Sequence, residues 1–115
     1  MSLSNAKRVY TTKKNYLIRL LDRVPTLLYD QNVGTEKLEK AESGCTAAWD
    51  GFSAAHDKLI EIQSDEEAQE AEMEVREEEF GNLGVRFQDL LGNLADAMAS
   101  RGRDQLRQEN QVEAD

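Results

Sequence analysis

The sequence has few of the residues that build catalytic or metal sites, with one cysteine, Cys45, and one histidine, His56, among 115 residues. One cysteine excludes an internal disulfide and a cysteine-based zinc site. Together with an N-terminus unlike a signal peptide, it predicts a reducing, cytoplasmic location. A single histidine without a nucleophile partner cannot form a catalytic triad. Glycine-rich phosphate loops and metal-ligand spacings are also lacking, so we expect no enzyme, cofactor or metal.

Proline occurs once, aromatic residues make up 6% of the chain, and no apolar run approaches the ~20 residues of a membrane span. Few prolines and a charged fraction of 32% are typical of long helices, which expose much of their surface. The length allows at most one domain. We therefore expect a soluble, all-α protein.

The net charge of −9 is unevenly distributed. Residues 1–23 hold six basic side chains and one acidic one, whereas residues 24–100 hold eighteen acidic and five basic ones. Because phosphate contacts dominate nucleic-acid affinity, the acidic body disfavours nucleic-acid binding. The basic N-terminal segment leaves RNA contact open as a minor alternative, through Lys7, Arg8, Lys13 and Lys14.

An apolar seam with the 3-4 spacing of packed helices runs from Leu38 to Met98. Its two halves each repeat every seven residues: Leu38, Cys45, Phe52 and Leu59, then Met73, Phe80, Phe87 and Leu94. We predict helices over about residues 5–24, 35–63 and 65–100, followed by a disordered tail over 101–115. Pro25 ends or kinks the first helix, with one further turn possible, and Thr35 is the expected N-cap of the second.

Two arrangements of the seam are consistent with the pattern. The heptad phase survives across Ser64, so one continuous helix could dimerise with another chain. However, Ser64 to Glu67 has the form of a capping box, which favours a turn and an antiparallel hairpin. We therefore predict an antiparallel three-helix bundle dominated by a long coiled-coil-like hairpin, in which Trp49 faces Phe80 and Cys45 faces Leu83 or Gly84.

Several side-chain groups invite a functional interpretation. The seam aromatics are expected to be core first and a binding hot spot second, and helix two carries a stripe of small residues where another helix can approach closely. A dense glutamate cluster is interpreted as a solvated face, because a straight helix spreads its carboxylates apart. His56 is expected at the seam edge with one ring nitrogen bonded or wet, and Cys45 as a small hydrophobe. The candidate interaction residues are Trp49, Phe52, Phe80, Phe87, Gly44 and Gly51, and the glutamates are Glu66, Glu67, Glu70, Glu72, Glu74, Glu77, Glu78 and Glu79.

The order of these features resembles an N-terminal domain of unknown function in Gag-like polyproteins of BEL/Pao retrotransposons. The matching residues are a basic first helix around Lys7-Arg8, Lys13-Lys14 and Tyr16 to Leu21, then Trp49, Phe52, His56, Leu59 and Ile60, then Glu77, Phe80, Leu83, Leu90 and Leu91. The resemblance covers about residues 5–98. It implies a non-enzymatic structural segment of a transposable element, upstream of capsid, protease, reverse transcriptase and integrase regions.

The sequence thus predicts a structural assembly module that makes helix–helix protein interactions, including self-association. The alternative is a host coiled-coil adaptor that binds a partner helix in a groove beside Trp49 and Phe80.

Overall fold

The computed structural model describes the backbone of residues 2–63 and 70–113 and the side chains of residues 2–63 and 71–103. The described backbone forms three helices joined in sequence: α1 over Leu3–Tyr29, α2 over Thr35–Gln63 and α3 over Glu70–Glu113. The all-α three-helix architecture predicted from the seam is therefore confirmed.

Helix α1 begins after Ser2, whose side-chain oxygen accepts a hydrogen bond from the Asn5 amide at 3.2 Å. This is the usual N-cap interaction. Helix α1 also continues through Pro25 to Tyr29, so the predicted end near Val24 is too early. Leu21 and Val24 are almost completely buried. Packing of the helical turn that precedes Pro25 therefore outweighs the loss of one backbone hydrogen bond at the proline.

The connector between α1 and α2 is held by local hydrogen bonds and by α3. The Asn32 amide donates to Asp30 Oδ1 at 3.0 Å, and the Val33 amide donates to the Asp30 carbonyl at 3.2 Å. From α3, the Arg101 guanidinium donates to the carbonyls of Val33 at 2.6 Å and Asp30 at 3.0 Å. Helix α2 covers the predicted range. Its first backbone hydrogen bond runs from the Leu38 amide to the Gly34 carbonyl, so Thr35 lies inside the helix and is not its N-cap.

Helices α2 and α3 form an antiparallel pair within one chain. Trp49 lies 5.0 Å from Phe80 between ring centroids, as the predicted register requires, and near the start of α3 Gln63 donates a 3.4 Å hydrogen bond to Glu72. Residue numbers on α3 therefore rise as those on α2 fall. The predicted capping box at residues 64–67 lies outside the described residues. The intrachain contacts nevertheless favour the hairpin over the continuous helix.

Helix α1 lies parallel to α3 and packs most extensively against α2. Lys7 pairs with Glu72, Lys14 with Glu79, and Asp22 with Arg86, so the numbers rise together on both helices. The basic segment thus lies on the acidic helix. All three helices enclose one core, with Leu17, Leu21, Leu38, Phe52, Leu59 and Leu94 at 0% exposure.

Helix α3 is longer than predicted. Its backbone stays helical through Glu113, whereas the sequence predicted an end near Ser100 and a disordered tail over 101–115. Gly102 is a residue type that often ends helices in a positive-φ conformation, but it does not adopt one here. Arg101 bonds to the α1–α2 connector and so belongs to the bundle. The following residues are mostly good helix formers, and α3 gives the protein a long dimension of 73 Å.

Candidate interaction surfaces

The predicted hot-spot aromatics form one cluster inside the bundle. Trp49 lies between α2 and α3, with its ring centroid 5.2 Å from Phe87, 5.0 Å from Phe80 and 5.8 Å from Phe52. Phe52 and Phe87 are buried, whereas Trp49 and Phe80 are partly exposed. Phe52 and Phe87 therefore pack in the core, which is the first of the two roles expected of the seam aromatics.

Gly84 makes room for this cluster. A methyl group at Gly84 would lie 3.2 Å from Cη2 of Trp49, tighter than most side-chain contacts. The glycine on α3 therefore permits close packing of the indole ring. Gly84 lies against Trp49. The sequence placed it opposite Cys45, which lies one helical turn before Trp49 on α2.

The small residues of α2 divide between two faces. Ala48 and Ala55 are buried against the core. Gly44 and Gly51 lie towards the surface; nothing is within 4 Å of a methyl group built at Gly44, while one at Gly51 would lie 3.6 Å from Cδ of Lys13. The stripe is therefore buried inside the bundle at the alanines, whereas Gly44 stays open.

A polar contact joins α1 and α3 beside the core. The Tyr10 hydroxyl donates to Glu79 Oε2 at 3.1 Å, and Lys14 Nζ donates to the same oxygen at 3.0 Å. The Arg76 guanidinium lies over the Tyr10 ring, 5.8 Å from its centroid. These side chains line an open groove of about 390 Å³ together with Glu72. The seam pattern did not indicate this contact, because its acidic members lie beside the seam.

The environment of this contact shifts two pKa values. Burial, and then the negative charge of Glu79, raise the pKa of Tyr10 far above its ordinary value of 10.0. The hydrogen bond and charge of Lys7 lower the pKa of the Glu72 carboxyl. Elsewhere in the core, burial raises the pKa of the Cys45 thiol, as expected of a thiol that packs as a small hydrophobe.

The glutamate cluster is only partly a solvated face. Glu72 and Glu79 pair with lysines of α1, but only Glu79 is partly buried, which corrects the prediction for that residue. Glu72, Glu74, Glu77 and Glu78 are exposed. The side chains of Glu66, Glu67 and Glu70 lie outside the described residues. Among the side chains that are described, no group of three or more histidines, cysteines or carboxylates could hold a metal ion.

His56 lies deeper than the predicted seam edge. Its ring stacks on Phe80 with centroids 4.1 Å apart, and only 8% of the residue is exposed. Nδ1 lies 3.5 Å from Asp57 Oδ1, without the geometry of a hydrogen bond, and neither ring nitrogen bonds within the described part of the chain. The histidine therefore serves here mainly as a flat packing surface.

The four basic residues suggested for nucleic acid divide into two pairs. Lys7 and Lys14 are neutralised by Glu72 and Glu79 of α3. Arg8 and Lys13 are exposed, and within the described residues no ion pair involves either one. Lys7 and Lys14 are therefore not available as free positive charges for nucleic acid.

A second groove lies between α1 and α2 on a side to which α3 contributes no lining residue. It has a volume of about 330 Å³ and an almost entirely apolar lining. Lys13 and Lys58 are the charged residues among those that line it, which are Ala6, Val9, Lys13, Gly51, Ala54, Ala55 and Lys58. We call this the α1–α2 groove. Sequence reasoning found Gly51 but missed Val9 and Ala54, whose spacing follows an outer face rather than the core seam.

Comparison with known proteins adds no relative: no family model, curated protein or solved structure matches the chain. None of the described helices is long and apolar enough to cross a membrane.

Proposed function

We propose that this chain is a non-enzymatic assembly module whose copies associate through the outer faces of their helices. The proposal includes its origin as a Gag-like segment of a BEL/Pao retrotransposon polyprotein, on the basis of the resemblance over residues 5–98. Its working surface would be the exterior of a bundle that folds by itself.

The single observation that carries this proposal is the α1–α2 groove. An open apolar groove between two helices is the kind of surface that accepts the face of another helix. Ala54 and Ala55 give it a floor of small side chains, and Lys13 extends across Gly51. The rim lysines favour an acidic partner, and the exposed part of α3 is acidic.

Absence of self-association would favour the second candidate function, a host adaptor that binds a helix from another protein. The same groove supports it, whereas the site originally suggested beside Trp49 and Phe80 has much of its aromatic surface buried against the chain itself.

Size-exclusion chromatography with light scattering tests the proposal on the full chain. We expect the mass of the eluting species to rise with loading concentration and to fall again on dilution. A monomeric mass at every concentration would overturn the assembly proposal. Capture of a defined helical peptide by that monomer would then identify the adaptor.

A further inference from the structure

The α1–α2 groove has a shape and charge that select its partner. Val9 on one wall is 36% exposed, and Lys13 lies across Gly51 with its Nζ 3.9 Å from a methyl group built there. On the other wall, the ion pair that Lys58 forms within the described residues is an exposed one, 3.7 Å from Glu61. Exposed pairs of this kind contribute little stability, so both lysines are available to a partner's carboxylates.

The outer face of α3 has the complementary features. Val85 is 64% exposed and lies five residues from Phe80, about 140° around the helix from that inward ring. Glu78 and Asp89, seven residues before and four after Val85, are exposed on the same face. Neither forms an ion pair within the described residues.

Two glycines let this face of α3 approach another helix closely. A methyl group at Gly81 or Gly92 would have nothing within 4 Å. Each glycine costs about 1 kcal/mol of helix stability relative to alanine. Contacts inside the bundle do not account for them, whereas the close approach of a partner helix does.

We propose that the outer face of α3 around Val85 docks into the α1–α2 groove of a second copy of this chain. Val85 enters the apolar floor, and Glu78 and Asp89 face the rim lysines. This inference rests on the proposed assembly function and names the two surfaces that carry it.

The two surfaces determine the kind of assembly. The groove is formed by α1 and α2, whereas the docking face belongs to α3, so each copy has one free groove and one free face. Because α3 contributes no residue to the groove, the groove and the docking face lie on different sides of the bundle, and two copies cannot make both contacts with each other at once. The contact is therefore heterologous and produces open chains or rings. Growth beyond the dimer is therefore expected.

The test uses one blocking substitution on each surface of the full-length chain. Ala54→Arg fills the groove and Val85→Arg blocks the docking face; both residues are exposed, so the bundle keeps its core. The matched controls are Thr46→Arg, at an exposed position eight residues before Ala54 on α2, and Val75→Arg, at a 56% exposed valine ten residues, or almost three turns, before Val85 on α3.

Sedimentation velocity over a concentration series distinguishes the outcomes. We expect wild type and both controls to form a series of oligomers. Each blocked variant should self-associate at least about tenfold more weakly than wild type. An equimolar mixture of Ala54→Arg and Val85→Arg should form a 1:1 dimer and nothing larger, because one intact groove and one intact face remain.

Four results would overturn the inference. A mixture that stays monomeric, or a blocked variant with the wild-type series, would show that other surfaces join the copies, while leaving assembly itself intact. A wild-type chain that is monomeric throughout would remove both the inference and the assembly proposal. Oligomers that disappear on nuclease treatment would show that RNA joins the copies, through the exposed arginines and Lys13.

Discussion

The indole of Trp49 stacks on the ring of Phe87, with centroids 5.2 Å apart and planes inclined by 10°. This contact joins α2 to α3 and extends to Phe80 and Phe52, so aromatic packing fixes the register of the hairpin. Aromatic pairs add about 0.5–1.5 kcal/mol beyond their buried area. Substitutions that disturb this packing should therefore affect folding rather than any binding reaction.

Gly81 and Gly84 form a matched pair for testing that packing. Gly81→Ala should raise the free energy of unfolding by about 0.5–1 kcal/mol, because alanine favours the helix and the new methyl meets open space. Gly84→Ala should gain less or lose stability, because its methyl would lie 3.2 Å from Trp49. Urea unfolding followed by circular dichroism measures both, and an equal gain at the two positions would contradict the packing.

Tyr10 should make the bundle sensitive to alkaline pH. Burial and Glu79 hold the pKa of Tyr10 above its ordinary value of 10.0 in the folded chain. Above that pH the unfolded chain releases a proton that the folded chain keeps, so stability is full below about pH 10 and falls as the pH rises further. Tyr10→Phe should therefore lose less stability than wild type between pH 8 and pH 11.

Urea midpoints at the two pH values provide the measurement. Tyr16→Phe is the control, because it removes a phenol that is 49% exposed. At pH 8 the Tyr10→Phe variant should itself be less stable by about 1 kcal/mol, since its hydrogen bond to Glu79 is lost. If both variants lose as much stability as wild type at high pH, Tyr10 is not the responsible group.

Arg101 should hold the α1–α2 connector against α3. Arg101→Met removes the hydrogen bonds to the carbonyls of Val33 and Asp30 and should cost about 1–3 kcal/mol. Amide exchange at Val33, whose N–H donates to Asp30, should become faster. Arg103→Met, an exposed position two residues further on, should leave both quantities near wild type. Equal effects of the two substitutions would contradict the connector role.

Much of the fold was accessible from sequence because it depends on apolar spacing. The seam positions Leu38, Phe52, Leu59 and Leu94 are completely buried, and the Trp49–Phe80 pairing follows from counting residues away from one turn. Once the turn is placed, the residue numbers on its two sides determine the register of an antiparallel pair. This is why both the helix pair and its aromatic contact were predicted.

The errors arose where tertiary contacts override local signals. Pro25 and Gly102 are helix-ending residues by local chemistry, yet buried neighbours in α1 and the contacts of Arg101 keep both helices continuous. The α1–α2 groove was missed for a different reason. It depends on how two outer faces meet, and periodicity within one helix does not contain that information.

The central claim is that the seam folds one chain while the outer faces join copies. Circular dichroism and sedimentation velocity on the same dilution series of the wild-type chain test it most directly. We predict that the mass falls from oligomers to monomer on dilution while the helical signal per residue stays constant. Helical signal that falls together with the mass would contradict the account, because the seam would then lie between chains.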